Sequence, residues 1–142
     1  MRLVLDASVA LKWFFRDRPD EPDGQAAAEI LQGYAAGRLE LLAPPHFLAE
    51  MCAVLAREAP DTIDAHLRDL LDLNIPIRDD ALVYSRAMHL SRDLGHHLFD
   101  TLYHAVALET EGAELVTADQ RYLKQAGALG RIRSLGHWAV ER

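Results

Sequence analysis

Residues 2–9, with the sequence RLVLDASV, decide the fold that we predict for this chain. The run from Arg2 to Leu5 is short, apolar and rich in strand-forming residues, whereas the apolar residues from Ala7 to Phe15 recur at helical spacing. A strand therefore runs into a helix at Asp6. In open parallel α/β sheets, ligands bind outside the carboxyl ends of the strands, which is where this places the Asp6 carboxylate.

The rest of the chain continues this alternation of strands and helices. Strands are predicted near 39–43, 75–78, 114–117 and 132, helices over 25–36, 45–58, 60–73, 79–94, 98–111 and 119–125, and a loop over 16–24. Because helices of about ten residues or more separate the strands, the sheet is predicted to be parallel and covered on both faces. We expect an α/β fold with three layers (α/β/α) and a central parallel sheet of four to five strands.

Length and composition indicate one globular domain over residues 1–142. The chain has 142 residues, of which 50% are hydrophobic and 26% charged, and this size is enough to bury a core. Cys52 is the only cysteine, so neither an intramolecular disulfide nor a cysteine-based zinc site is possible. That usage fits a reducing compartment.

Charge and hydropathy limit the partners that we expect. A carboxylate at position 6 comes too early for a signal-peptide core, and no apolar run reaches the ~20 residues of a membrane span, so we expect a cytoplasmic protein without a membrane partner. The net charge of -7 argues against gripping nucleic acid through a broadly basic face. Such a role would need bound metal or a local basic patch, for which the candidates are Arg86, Arg92, Arg121 and Lys124.

Four acidic residues are the candidate functional residues. Asp6 and Asp119 each follow a predicted strand at the same edge of the sheet, whereas Glu50 and Asp100 lie on the apolar sides of helices. A buried unpaired carboxylate costs several kcal/mol or more, so it must be protonated, paired or bound to metal.

Each acid also has a structural interpretation. Asp6 and Asp119 could simply cap helices, and Asp100 could favour a helix N-terminus electrostatically. Glu50 could pair with Arg57 or with another arginine.

The four acids together fit one chemistry. Carboxylate ligands alone suit hard octahedral ions such as Mg²⁺ and Mn²⁺. Carboxylates that converge on one point repel each other unless a cation lies between them. A divalent ion at such a point can polarise a phosphoryl oxygen and favour ionisation of water, which is the chemistry of phosphodiester hydrolysis.

The motifs that contain these acids resemble those of PIN domains. Three segments resemble family motifs: the opening strand with Asp6 and Ser8, FDTLYHAVAL at 99–108 and ELVTAD at 114–119. Glu50 stands where the family has a helical glutamate. The resemblance implies a metal-dependent ribonuclease, similar at this length to VapC-like toxins, with RNA as substrate, a cognate antitoxin and a homodimer.

The resemblance also implies a role for each matched residue. Asp6, Glu50 and Asp100 would be the main catalytic and metal-binding acids, and Asp119 would assist them directly or through water. Ser8 and Thr117 would orient a carboxylate or a water on the ion.

Three histidines depart from the family pattern. His104 stands where many members have a smaller or aliphatic residue, and it either touches substrate or is a packed histidine at the surface or in the core, the latter being the favoured interpretation. The pair His96-His97 just before Asp100 lies outside the pattern altogether.

Two other functions remain open at this point. One is a PIN-fold interaction module without catalysis, which the full set of acids disfavours. The other is a receiver-like phospho-acceptor domain, which would need an acceptor at Asp79 after a third strand and a lysine that ends a late strand. Lys124 instead falls within a predicted helix.

Overall fold

A parallel sheet lies at the centre of the fold, in a computed structural model that describes residues 1–18 and 23–141. Within those residues four strands pair in the order β2-β1-β3-β4, all parallel. The strands are β1 (Arg2–Leu5), β2 (Glu40–Leu42), β3 (Ala113–Thr117) and β4 (Ile132–Ser134). The strand order reverses between β1 and β3, so the crevice at a topological switch point, where α/β sheets bind ligands, opens beyond Leu5 and Thr117.

Helices cover both faces of the sheet and give the expected three-layer α/β/α fold. They are α1 (Ala7–Ala10), α2 (Gly24–Ala35), α3 (Phe47–Glu58), α4 (Ile63–Asp72), α5 (Ala81–Leu94), α6 (Leu98–Leu108), α7 (Gln120–Ala126) and α8 (Leu135–Glu141). Short 3-10 turns follow α1, precede α4 and follow α7. In the described part of the chain, no helix combines the length and the apolar character that crossing a membrane requires.

The core explains why α6 is apolar on nearly every side. Residues 101–107 of this helix are all buried, because α6 packs against α5 on one side and against β1 and β3 on the other. A helix that is apolar all round belongs in an interior. The first turn of α6 carries Asp100, so burial of the helix fixes that carboxylate beside the sheet.

The predicted elements mostly appear, with four differences. The strand predicted over 75–78 is wrong: only a single parallel bridge joins Ile77 to Ala43. The first helix stops at Ala10 and tightens into a 3-10 turn, and α6 ends at Leu108 rather than at 111. Helix α8 was not predicted. Residues 19–22 of the predicted 16–24 loop lie outside the described residues.

Candidate metal centre

Asp6 is held by one group from helix α1 and one from strand β3. It follows β1, and its Oδ1 accepts a hydrogen bond of 3.0 Å from the backbone N–H of Ser8. Its Oδ2 accepts one of 2.8 Å from the hydroxyl of Thr117, the last residue of β3. The same fully buried threonine oxygen accepts a bond of 2.9 Å from the backbone N–H of Asp119. One hydroxyl therefore connects two of the predicted acids.

Ser8 supports the same junction. Its hydroxyl oxygen accepts a hydrogen bond of 3.2 Å from the backbone N–H of Ala118, which ties the start of α1 to the residue after β3. The contact with Asp6 comes from the backbone of Ser8 and not from its hydroxyl. Ser8 and Thr117, the two residues predicted to orient a carboxylate, both contact Asp6.

Glu50, in the first turn of α3, is held as a carboxylate by two neighbours. Its Oε1 accepts a hydrogen bond of 2.6 Å from the Tyr103 hydroxyl and lies 3.0 Å from Nε2 of His46. Partial burial alone would raise the pKa of Glu50, but these two contacts outweigh it and hold the pKa below its usual value. The suggested pairing with Arg57 is wrong, because Arg57 contacts Glu58.

Asp100 has the opposite electrostatic environment. Its Oδ2 lies 3.1 Å from Nε2 of His96. Burial raises the pKa of Asp100, and the nearby charges of Asp119 and Glu50 raise it further, while His96 opposes them without reversing the shift. The ionised form of Asp100 is thus under-compensated in the metal-free protein.

The electrostatics place the four carboxylates in one cluster. Burial raises the pKa of Asp6 most, and the charges of Asp100 and Glu50 add to the rise. Asp100 in turn senses Glu50 and Asp119. Ligand atoms of His96, Asp100 and Asp119 all lie within 4.8 Å of one another. The structure therefore places Asp100 beside Asp119 and His96, and within electrostatic reach of Asp6 and Glu50, near the carboxyl ends of β1 and β3.

Two of the acids also cap helices. Asp6 caps α1, and Oδ1 of Asp119 accepts a hydrogen bond of 3.1 Å from the backbone N–H of Tyr122 in α7. The capping interpretation is therefore confirmed for both residues. It does not exclude a second role, because each cap uses one oxygen of a carboxylate that also belongs to the cluster.

Comparison with known families assigns the fold. The model of the PIN domain family matches residues 3–128, which is most of the chain. The chain belongs to the PIN domain family. A search of curated proteins found no match. PIN domains are generally metal-dependent nucleases, and the acidic cluster is the part of this PIN domain that fits such chemistry.

Sequence reasoning missed several residues of this PIN domain. Tyr103 and His46, which hold Glu50, were not predicted to do so, and neither was the side chain of Gln125, whose Oε1 closely contacts Nδ1 of His96. The sequence spacing offered one signal. His46 and His96 each lie four residues before a predicted acid, which places each histidine on the same face of a helical turn as its acid.

His104 of this PIN domain is a core residue. It is fully buried, its Nε2 donates to the Gly130 carbonyl at 2.9 Å, and its Nδ1 accepts from the Tyr122 hydroxyl at 2.9 Å. Burial lowers its pKa, so the ring is neutral. The packed-core interpretation is confirmed.

Proposed function

We propose that this PIN domain is a ribonuclease that uses Mg²⁺ or Mn²⁺ to hydrolyse RNA phosphodiester bonds, and that it is the VapC-like toxin of a toxin–antitoxin pair. The observation that carries the proposal is the cluster of Asp6, Glu50, Asp100 and Asp119 at the topological switch point. The pKa values of Asp6 and Asp100 rise through burial and the charges of neighbouring carboxylates, and perturbed pKa values of this kind are characteristic of functional sites.

The donor set fits a hard divalent cation. The charges that most shift the pKa values of Asp6, Glu50 and Asp100 come from other carboxylates and from histidines. Asp6, Glu50, Asp100 and Asp119 would hold the ion. When bound, a divalent ion neutralises charge on phosphoryl oxygens and favours ionisation of water.

The protein's own residues prepare the site for this task. Thr117 and the Ser8 backbone fix the Asp6 carboxylate at both oxygens, which limits its rotation. Tyr103 and His46 keep Glu50 ionised and oriented. Positioning of this kind lowers the reorganisation that the reaction requires.

Local positive charge supports an RNA path beside the acids. Arg121 and Lys124 are exposed on α7, directly after Asp119, and form no ion pair with the described residues. Arg86 and Arg92 instead pair with Glu109 and Asp93. We therefore propose that the α7 cations contact the phosphate backbone and that the other two are ordinary surface charges.

As a VapC-like toxin, the protein would be cytoplasmic and homodimeric, and a cognate antitoxin would bind it. Exposed apolar side chains support a protein partner or a second copy: Leu82 and Met88 on α5 are 62% and 63% exposed. Expression of the wild-type chain should arrest growth, and the product of an adjacent small gene should relieve the arrest. Size measurement by light scattering tests the dimer.

The central test is an RNA cleavage assay with purified protein. Cleavage should require Mn²⁺ or Mg²⁺, stop on addition of a chelator, and be lost in Asp6→Asn and Asp100→Asn. Asp72→Asn, an exposed carboxylate at the end of α4, is the matched control and should cleave normally. Equal cleavage by wild type and both site variants would remove the proposed site, and a protein that binds no divalent ion would favour a non-catalytic PIN interaction module.

The receiver-like alternative loses its structural basis. It needed an acceptor at the end of a third strand over 75–78, and that segment forms a single bridge instead of a strand. Lys124 lies within α7, as expected from the sequence.

A further inference from the structure

One imidazole outside the family's acidic motif points into the cluster. The side chain of His96 is only 7% exposed, and its Nε2 lies 3.1 Å from Oδ2 of Asp100. Its backbone is fixed in the turn between α5 and α6, because the N–H of His96 donates to the Ser91 carbonyl and the Ser91 hydroxyl donates to the His96 carbonyl. The ring therefore occupies a defined place beside Asp100 and Asp119.

The other ring nitrogen of His96 has its own partner. Nδ1 closely contacts Oε1 of Gln125, an acceptor on α7, and the ring packs edge-on against Tyr122 with the centroids 5.0 Å apart. The Gln125 Oε1 can only accept, so Nδ1 carries a hydrogen, and Nε2 is the ring nitrogen that faces the acids and is placed to bind a cation. Metal-binding histidines in proteins are oriented in this way, by a carbonyl or carboxylate that accepts from the second nitrogen.

The distance between His96 and Asp100 fits two ligands of one ion. Two ligands that each lie about 2.1 Å from an octahedral ion, at a right angle, are roughly 3.0 Å apart. The observed separation of Nε2 and Oδ2 is 3.1 Å, and an oxygen of Asp119 lies within 4.8 Å of both. A lone pair that faces a carboxylate oxygen at this distance is repulsive unless a proton or a cation lies between them.

We propose that His96 is a nitrogen ligand of the metal centre, together with Asp100 and Asp119, and that Gln125 positions its ring. This inference rests on the proposed function, since it concerns the same site. An imidazole ligand changes the preference of an oxygen-only site: Mg²⁺ demands oxygen donors, whereas nitrogen donors bind the first-row transition ions, a series that begins with Mn²⁺ as its weakest member. The site therefore selects a first-row transition ion such as Mn²⁺ over Mg²⁺.

Calorimetric titration of the full chain with Mn²⁺ and with Mg²⁺ tests the selectivity. His96→Gln should weaken Mn²⁺ binding at least about tenfold and change Mg²⁺ binding much less, because a side-chain oxygen replaces the nitrogen. Gln125→Leu should weaken Mn²⁺ binding by about tenfold, and Gln125→Glu, which keeps an acceptor for Nδ1, should restore it.

The matched control is the neighbouring histidine. His97 is exposed and caps α6 by accepting from the N–H of Phe99. His97→Asn keeps a capping acceptor and removes an imidazole from the same acidic neighbourhood. The ratio of Mn²⁺ to Mg²⁺ affinity should be unchanged in this variant.

Pulsed electron paramagnetic resonance of the Mn²⁺-loaded protein gives a readout that is independent of activity. A ¹⁴N coupling to Mn²⁺ should be present in the wild type and in His97→Asn and absent in His96→Gln. Absence of that coupling in the wild type, or an affinity ratio that His96→Gln leaves unchanged, would show that His96 merely forms an ion pair with Asp100. Such a result overturns the inference alone, whereas a wild type that binds neither ion overturns the proposed function as well.

Discussion

Glu50 and Asp100 occupy matching places on two helices and yet have opposite electrostatics. Each lies in the first turn of its helix, and each has a histidine four residues earlier, at 3.0 Å for His46 and 3.1 Å for His96. The pKa of Glu50 is lowered, whereas burial and like charges raise the pKa of Asp100. A shared local motif has therefore produced two different environments.

Hydrogen bonds from His46 and Tyr103 at Glu50, against burial and like charges at Asp100, account for the difference. Nε2 of His46 also lies 2.7 Å from the Phe99 carbonyl, which can only accept, so this nitrogen carries a hydrogen and donates. In His96, Nδ1 faces Gln125 and Nε2 faces Asp100. Hydrogen bonds therefore stabilise the ionised Glu50 carboxylate, whereas burial and the charges of Asp119 and Glu50 destabilise the ionised Asp100 carboxylate, which a bound cation would stabilise. The order and spacing of the motif residues do not show which of the two carboxylates has the lowered pKa and which has the raised pKa.

The largest expected effect is loss of RNA cleavage in Asp100→Asn. Removal of this carboxylate takes away a proposed ligand whose ionised form is destabilised by burial and like charges, so kcat/KM should fall at least about 100-fold. The kcat/KM of Glu50→Gln should fall by a similar or smaller factor, because the amide oxygen still accepts a hydrogen bond from the Tyr103 hydroxyl. The comparison uses steady-state cleavage of a fluorescent RNA at saturating Mn²⁺.

Tyr103→Phe should make the electrostatic environment of the Glu50 carboxylate resemble that of Asp100. The substitution removes the hydrogen bond of 2.6 Å to Glu50 with little change in packing. We expect a loss of about 1–3 kcal/mol in the free energy of unfolding, as for other hydrogen bonds to charged groups, and a higher pKa for Glu50. Urea denaturation measures the first effect; unchanged stability would mean that Tyr103 does not hold the carboxylate.

The two amide substitutions should have opposite effects on stability without metal. The raised pKa of Asp100 means that its charge destabilises the fold at neutral pH, so Asp100→Asn should increase the melting temperature by roughly 1–3 °C. The lowered pKa of Glu50 means that its charge stabilises the fold above pH 4.5, so Glu50→Gln should decrease the melting temperature by a similar amount. Thermal denaturation in chelator at pH 7 provides the comparison, and shifts of the same sign would contradict the assigned difference.

His104 is a buried imidazole away from the acids. Its substitution should have the smallest effect, which is a change in the pH dependence of stability. Its pKa is lowered below 6.5, so the unfolded chain binds the proton more readily. The stability that neutral His104 contributes is complete above pH 6.5 and is lost as the pH falls. Denaturation at pH 8 and pH 5.5 should show a flatter pH dependence in His104→Gln than in the wild type.

Much of the fold was predictable because local signals agreed with the tertiary structure. The strand at Arg2–Leu5, the cap at Asp80 and the left-handed Gly95 that ends α5 all follow from residue type and spacing. The segment 75–78 was not predictable as a lone bridge, since its apolar residues read as a strand and only its position at the margin of the sheet limits the pairing. The length of α6 was overestimated because nothing before Gly112 signals an end.

The candidate site was predictable in its acids but not in its hydrogen bonds. The carboxyl ends of parallel strands must meet, which places Asp6 near Asp119, and a carboxylate on an apolar helix face needs a partner. Gln125 and Tyr103 contact the site only through the packing of α7 and α6. No pattern along the chain indicates which ring nitrogen of a histidine will face which neighbour.

The claim on which everything else depends is that the four carboxylates bind one cation centre. Anomalous diffraction from crystals soaked in Mn²⁺ tests it most directly. We predict Mn²⁺ density enclosed by Asp6, Glu50, Asp100 and Asp119, within about 2.1–2.3 Å of carboxylate oxygens. Density elsewhere on the surface, or none between these acids at saturating Mn²⁺, would contradict the account.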